Sequence, residues 1–199
     1  MSYATLAMFK SAIGITDSAD DTALQSVLDA TDALIDLYCE RKTGFGTASE
    51  TRYYTAEEYE YVLTDDLVSI TTLKTDDLGL GTHTTVWTSG TDYNLAPGNA
   101  ALDGFPYTQI DVSVTYPKNF PKNVYRGVEV VGVFGFPAVP QAVIQAALIQ
   151  AGAVFSSRTS PFGAIGGESL GGIIRQSRAL HPESQVLLEA FRKRSGLAR

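Results

Sequence analysis

The residues of this chain that could do chemistry include two histidines, one cysteine and several acidic pairs. His83 and His181 are far apart, and neither belongs to a His-x-x-x-His or Cys-x-x-Cys pattern. Because zinc and similar metals are usually held by closely spaced ligands, the sequence argues against a transition-metal site. The single cysteine, Cys39, can form no internal disulfide and is expected to pack within an amphipathic helix.

The acidic pairs at positions 57–58, 65–66 and 76–77 are residue types that could ligate calcium or act as catalytic carboxylates. The second and third pairs lack the alternating acidic pattern of a calcium loop and are expected to be solvated turns. Glu57 and Glu58 should point apart in a strand, although folding could bring a distant carboxylate to either of them. The Gly-x-Ser-x-Gly spacing occurs once, around Ser169, but within a glycine-rich segment that does not lead from a strand into a helix, so we do not expect a nucleophile elbow there. The patterns favour a protein that is not an enzyme and uses neither a cofactor nor a metal.

A glycine-rich segment covers residues 163–172. It lacks the Gly-Lys-Ser/Thr ending of a phosphate-binding loop, and it does not lead from a strand into a helix. Ordering such a segment costs much conformational entropy, so we expect a flexible loop that orders against a partner. The candidate residues of this loop are Phe162, Gly163, Ile165, Gly166 and Gly167.

Helical and strand-like patterns divide the chain into three parts. Apolar residues recur at helical spacing in segments 5–13, 20–41, 140–157 and 182–194, and the third segment is apolar on nearly every face. Between them, turn signals separate short strand-like runs at 51–55, 59–63, 68–74, 84–88, 93–95, 109–116 and 127–134. We therefore expect an α+β fold, a bundle of about four helices (residues 1–44 and 138–199) with a small inserted antiparallel β-sheet domain (residues 45–137).

The charge distribution is uneven along the chain. Residues 1–137 carry eight basic and nineteen acidic side chains, whereas residues 138–199 carry seven basic and three acidic ones. An acidic body argues against sequence-specific DNA binding, which needs Lys and Arg to neutralise phosphates. The sequence also has no long apolar run and no basic, cleavable start, so we expect a protein made in a reducing cytoplasm without export.

Two charged groups could be functional or merely solvated. Asp29, Asp32, Asp36 and Glu40 recur at spacings of three and four, so they are expected to share the face of the second helix opposite its apolar stripe. They form either a solvated face or a surface toward a basic partner or a channel that must not bind DNA. The basic carboxyl-terminal segment either complements a helix dipole or docks on an acidic partner.

Three segments in a fixed order resemble a known protein family. Residues 3–41 comprise a short helix, an Ile-Thr-Asp turn and a long helix. Residues 87–97 comprise a strand that enters a Gly-Thr-Asp-Tyr turn, and residues 135–158 contain the Gly-Phe-Pro-Ala-Val-Pro join and the following helix. This order resembles the head-to-tail connector (adaptor, or head-completion) proteins of long-tailed double-stranded DNA bacteriophages. The inserted part is larger than in the smallest members, and the loop at 156–172 has no counterpart in the resemblance.

The resemblance implies a structural virion protein that is not an enzyme. Such proteins assemble as a homo-oligomeric ring, commonly of twelve copies, beneath the portal protein of the filled capsid. The ring extends the DNA channel, through which double-stranded DNA passes without specific binding, and it offers a platform for the next neck or tail-completion protein. The resemblance therefore implies a location in the virion neck after assembly in the host cytoplasm, with no membrane partner.

Carried onto this sequence, the resemblance suggests two sets of site residues. The portal-docking candidates are Arg192, Lys193, Arg194, Leu197 and Arg199. The channel-lining candidates are the acidic residues Asp29, Asp32, Asp36 and Glu40, because negative charge repels phosphate. Two alternatives stay open: a different neck or tail-completion protein, or a carbohydrate-binding surface module. The module would need a cluster of exposed aromatics such as Tyr53, Tyr59, Tyr61 and Trp87.

Overall fold

The architecture is mixed α/β, with a large antiparallel sheet and helices on either side of it in the sequence. The computed structural model describes residues 2–41, 44–115, 118–157, 164–166, 173–175 and 180–193. In chain order the elements are α1 (Leu6–Ile13), α2 (Asp21–Tyr38), β1 (Thr47–Tyr54), β2 (Tyr61–Thr75), β3 (Thr85–Trp87), β4 (Tyr93–Ala96), α3 (Ala100–Asp103), β5 (Tyr107–Val112), β6 (Val128–Gly135), α4 (Gln141–Ser157), β7 (Ala164–Gly166), β8 (Ile173–Arg175) and α5 (Pro182–Leu188), followed by a 3-10 turn at Glu189–Phe191.

The chain divides into two units, each with its own interior. The helical unit comprises the described residues of Met1–Gly44 and Val139–Lys193, and the sheet unit comprises those of Phe45–Ala138. Helix α4 is central to the helical unit because it packs against α1, α2 and α5. The buried residues of α4 are mostly small, so neighbouring backbones can approach it closely: Val143, Ala146, Ala147, Gln150 and Ala151.

Helix ends in the helical unit are fixed by local capping. The Thr5 side chain accepts a hydrogen bond from the Met8 N–H at the start of α1, and Gly14 closes this helix in the left-handed conformation. The buried Ser184 hydroxyl, at the start of α5, donates to the Ala146 carbonyl of α4 at 3.0 Å. The Thr5 and Gly14 contacts fix the two ends of α1, and the Ser184 bond holds α5 against α4.

The sheet unit is a single antiparallel sheet with the strand order β1-β6-β2-β5-β4, and β3 also pairs with β2. Strand β6 lies between β1 and β2, where its valines fit a surface that is buried on one side. Its inward residues Val128, Val130 and Phe134 pack in a core with Val62, Leu67, Leu73, Trp87, Ile110 and Phe120. The Trp87 ring stacks on Phe120 with 4.4 Å between ring centroids.

The predicted fold class, a bundle of about four helices with a small inserted sheet, is wrong. Among the described residues there are five α helices, and strands dominate through the six-stranded sheet. The sheet is larger than predicted mainly because β2 runs without a turn for 15 residues. Asp65 and Asp66 were expected to form a turn, but they lie inside β2 at an irregularity in its pairing with β5. The carboxylate of Asp65 is paired there with the Arg52 guanidinium at 2.9 Å.

Candidate assembly surfaces

The carboxyl end of α2 is shaped by a residue in the left-handed conformation. Glu40 has φ 57°, and the Arg41 N–H then donates to the Asp36 carbonyl at 2.9 Å. This arrangement is the usual way in which the last carbonyls of a helix are satisfied, although glycine is the more common residue there. It turns the chain so that Glu40 is exposed while Arg41 is buried at 7% exposure.

The end of the described chain is anchored at this place by three hydrogen bonds. The Tyr38 hydroxyl donates to Glu189 at 3.1 Å, and the Arg41 guanidinium donates to the Phe191 carbonyl at 3.0 Å. The Lys193 N–H donates to the Cys39 carbonyl at 3.0 Å. We term this set the tail-anchoring site, because it fixes the point from which residues 194–199 continue.

Arg192, from the basic carboxyl-terminal group, contacts Glu40, from the acidic group of α2. Its guanidinium lies 3.3 Å from the Glu40 carboxylate and 5.6 Å from the centre of the Tyr38 ring. Both side chains of the ion pair are about half exposed, so the pair contributes at most about 1 kcal/mol to stability. A portal-docking candidate and a channel-lining candidate are therefore neighbours. The other docking candidates are Lys193, which is half-buried in the same place, and Arg194, Leu197 and Arg199, which lie outside the described residues.

The four acidic candidates of α2 do not form one exposed face. Asp32 is only 7% exposed and accepts a hydrogen bond from the Tyr3 N–H at 3.3 Å through one oxygen, while its other oxygen has no partner among the described residues. Asp36 is half-buried and accepts a hydrogen bond from the Tyr3 hydroxyl. Asp29 and Glu40 are exposed, and the Asp29 carboxylate accepts a bond from the Gln25 amide at 2.9 Å.

Burial changes the acidity of the two inner carboxyls. Loss of hydration raises the pKa of Asp32 from 3.8 to about 6, although the Tyr3 N–H and the amino terminus act in the opposite direction. Burial likewise raises the pKa of Asp36, and the hydrogen bond from the Tyr3 hydroxyl partly offsets this effect. Tyr3 was not recognised as important from the sequence, because nothing in its local pattern shows that it covers a helix 29 residues away.

Part of the candidate flexible loop lies in a small two-stranded ribbon. Ile165 and Gly166 belong to β7, which pairs antiparallel with β8. Phe162, Gly163 and Gly167 lie outside the described residues. Ordering of this loop against a partner therefore stays a prediction.

The residues considered for metal or sugar chemistry lie apart or are already engaged. In the described parts of the chain, no three His, Cys, Asp or Glu side chains are grouped to hold a metal ion. Trp87 is buried at 4% exposure and donates to the Thr75 hydroxyl, so it does not join the exposed Tyr59. The Tyr53 ring is covered by the Arg126 guanidinium at 4.2 Å. The cluster of exposed aromatics that a carbohydrate-binding module would need is not formed by these residues.

No helix within the described ranges is both long enough and apolar enough to cross a membrane. No curated protein sequence matches the chain. Among solved structures, the chain is similar to a chain of the "Neck of empty GTA particle computed with C6 symmetry", with 18% identity, a TM-score of 0.50 and coverage of 96% of this chain and 92% of that chain. It is also similar to a chain of the "Virion of native gene transfer agent (GTA) particle", with 20% identity, a TM-score of 0.52 and coverage of 96% and 90%.

These two likenesses show a shared fold over nearly the whole chain. The sequence itself matches a family model over residues 3–73, which include α1, α2, β1 and most of β2. The family is described as "Phage gp6-like head-tail connector protein". The resemblance of this chain to the head-tail connector proteins of bacteriophages, predicted from its sequence, is therefore confirmed.

Proposed function

We propose that this chain is a structural neck protein that forms a ring beneath the portal protein, joins the DNA-filled head to the tail and extends the DNA channel. The match of residues 3–73 to the head-tail connector family carries this proposal. The fold shared over 96% of the chain with a chain of a gene transfer agent neck supports it. On this proposal the chain has a structural and not a catalytic role, and its place is the neck of the virion.

Two surfaces of the helical unit fit the two tasks of such a ring. The basic residues that continue from the tail-anchoring site would dock on the portal protein, starting from a fixed point beside Cys39. Asp29 and Glu40 are the exposed carboxylates of the original four, so they carry the proposal of a channel lining. Negative charge there would repel phosphate and let DNA pass without binding.

We expect the purified chain to form a ring, either alone or only when mixed with the portal protein encoded with it. Light scattering would give the mass of each species, and negative-stain microscopy would give its shape. A monomer that stays monomeric and does not bind the portal protein would refute the connector function. The number of copies follows from the same masses, and twelve is the expectation.

Removal of residues 195–199, which takes away the docking candidates Leu197 and Arg199, is expected to weaken binding to the portal protein and to leave the melting temperature unchanged within about 1 °C. The reason is that the hydrogen bonds of the tail-anchoring site involve residues only as far as Lys193. Binding is measured by co-sedimentation and stability by circular dichroism. A full-length chain in which Leu197 and Arg199 are replaced by Gly and Ser separates the loss of these two side chains from the loss of length. Full portal binding by the truncated chain would rule out the docking role.

A different neck or tail-completion protein is the second candidate, because the family match covers only the amino-terminal part of the chain. The same mixing experiment separates the two. If the chain does not bind the portal protein alone but does bind a preassembled complex of portal and connector proteins, it has this other role.

A further inference from the structure

The basic side chains of the sheet unit differ in whether a carboxylate neutralises them. Four of them lie between 2.7 and 3.8 Å from a carboxylate oxygen: Arg52, Lys74, Lys118 and Lys122. The fifth, Arg126, is exposed, and its guanidinium makes neither an ion pair nor a hydrogen bond with any residue that the structure describes. Arg126 is therefore the exception among five cations that all lie within the described residues.

An aromatic ring nevertheless holds the Arg126 guanidinium in place. The central carbon of the guanidinium lies 4.2 Å from the centre of the Tyr53 ring, which belongs to β1. The His83 ring lies close to the same tyrosine, with 5.3 Å between ring centroids. Contact between a guanidinium and a ring is an attraction of charge to π-electrons, and it uses none of the N–H donors as hydrogen bonds. The cation is thus positioned but not neutralised.

The backbone of Arg126 is also fixed, in a conformation that costs energy. Its φ angle is 53°, in the left-handed region that residues with a side chain rarely adopt. Its N–H donates to the Thr55 hydroxyl at 3.0 Å, and its carbonyl accepts a hydrogen bond from His83 Nε2 at 2.9 Å. Strained residues persist where the surrounding structure imposes them, and they cluster at functional sites. The loop before β6 therefore presents this side chain from a fixed point.

A positioned guanidinium with unused donors is suited to bind an anion. Arginine binds carboxylates and phosphates through a pair of parallel N–H···O bonds. Because the ring and the backbone already restrict the side chain of Arg126, binding would cost little further conformational entropy. Tyr125, the preceding residue, is 83% exposed and would add contact area beside the anion. Arginine and tyrosine are among the residues that contribute most to protein interfaces.

The charge of the sheet unit favours a protein over DNA as the source of this anion. Residues 45–138 carry twelve acidic and five basic side chains. Binding of DNA needs several cations that act together on its phosphates, and a single unpaired arginine on an acidic unit does not provide them. A carboxylate in a protein interface needs only one such partner.

We propose that Arg126 is the anchor of a protein-binding site on the sheet unit, and that it binds a Glu or Asp side chain from an acidic segment of a different protein of the neck. The carboxylate would accept hydrogen bonds from the guanidinium above Tyr53, and Tyr125 would pack beside it. The inference rests on the proposed function, because that function supplies the partner proteins. It goes beyond that function in giving the sheet unit a docking site of its own.

Titration with a carboxylate probe tests the site before the partner is known. Hexaglutamate is added to the full-length, ¹⁵N-labelled chain, and the arginine Nε–H signals are followed by NMR. The Arg126 signal is the one that is absent from Arg126→Gln, and it is expected to shift until it saturates. Tyr53→Leu, which removes the ring, should weaken this binding roughly two- to fivefold, whereas Tyr53→Phe, which keeps the ring, should not. An Arg126 signal that does not shift would overturn the proposal.

Binding to the portal protein and to the other neck protein encoded with the chain would show which of them supplies the carboxylate. Arg126→Gln should weaken the binding of one of them at least about tenfold. Arg126→Lys should restore it only in part, because an ammonium group lacks the paired donors of a guanidinium. Lys122→Gln is the matched control, since Lys122 also lies over a ring, 5.5 Å from that of Tyr59, but is already paired with Glu58. This control should change binding by no more than about twofold.

Failure of this site and failure of the proposed function give different results. If Arg126→Gln binds both proteins as tightly as the wild type, this inference is wrong and the proposed function stands. A wild-type chain that binds neither protein and forms no ring would remove the proposed function and this partner with it. If Arg126→Gln instead loses self-association, or loses binding to a short DNA duplex, the anion belongs to a second copy or to DNA, and the assignment to a different protein is overturned. Unchanged Trp87 fluorescence would show that the variants are folded.

Discussion

Replacement of Gly132 by alanine is expected to cost roughly 3 kcal/mol or more of the free energy of unfolding of the sheet unit. Gly132 lies in β6 opposite Ile70, where the pairing of β2 is shifted by an irregularity. A Cβ at this position would collide with the Ser69 carbonyl oxygen and would lie 3.2 Å from the Ile70 Cα. Both obstacles are backbone atoms of a paired strand, so no side chain can rotate to make room.

The measurement is urea unfolding followed by the fluorescence of Trp87. This is the one tryptophan of the chain, and it is buried in the sheet unit, so the signal reports on that unit. Gly98→Ala is the control, because a Cβ at Gly98 meets no atom within 4 Å, and it should change stability by less than about 0.5 kcal/mol. Equal unfolding midpoints for the two variants would show that β2 and β6 can separate at Gly132 without loss.

Asp32→Asn is expected to stabilise the helical unit at pH 7.5 by on the order of 1–3 kcal/mol. Burial raises the pKa of Asp32 to about 6 from the usual 3.8. Between these two values the folded chain keeps the proton and the unfolded chain loses it, so stability falls as pH rises from about 4 to about 6. Above about pH 6 the whole cost of the buried charge is present, at about 1.4 kcal/mol for each unit of pKa. Asparagine removes the charge while keeping the shape of the side chain.

Thermal unfolding followed by helical circular dichroism at several pH values would test this. The difference between wild type and variant should be close to zero at pH 4 and should reach its full size by about pH 7. Asp29→Asn is the matched control, since Asp29 is an exposed acid on the same helix. If Asp32→Asn instead destabilises the unit at pH 7.5, the carboxylate is a stabilising ion in the folded chain, and the assignment of a buried, costly charge is wrong.

The sequence predicted helices and strands well where the local pattern of apolar residues is enough to determine them. Helix α4 and strand β6 were predicted close to their observed positions, because uniform apolarity and crowded valines are strong local signals. The pair Asp65-Asp66 predicted a turn that is not formed, since two adjacent acids usually indicate a turn. Their place inside β2 depends on pairing with distant strands and on the Arg52 guanidinium, which no local window contains. The extent of the sheet was therefore underestimated.

For the candidate surfaces, too, local features were predictable from the sequence and long-range contacts were not. The acidic spacing of α2 was visible in the sequence, but the burial of Asp32 depends on the amino-terminal segment folding back through Tyr3. The contact between Arg192 and Glu40 joins residues 152 positions apart. The exposure of Leu78 and Leu80 was not predicted, because they look like ordinary apolar residues near a turn. Their exposure follows from the way the loop wraps around Asp76, and spacing alone does not reveal it.

The pairing of Thr47 with Gly135 has a consequence for how such proteins can diverge. It means that the chain enters and leaves the sheet unit through neighbouring strands, whose paired Cα atoms are about 5 Å apart. The two ends of the sheet unit, at Thr47 and Gly135, therefore lie as close together as the ends of a tight turn. Because the entropy of loop closure grows only with the logarithm of length, the insert can be enlarged, trimmed or exchanged with little effect on helix stability. New contacts can therefore arise in the sheet unit while the sequence of the helices stays unchanged.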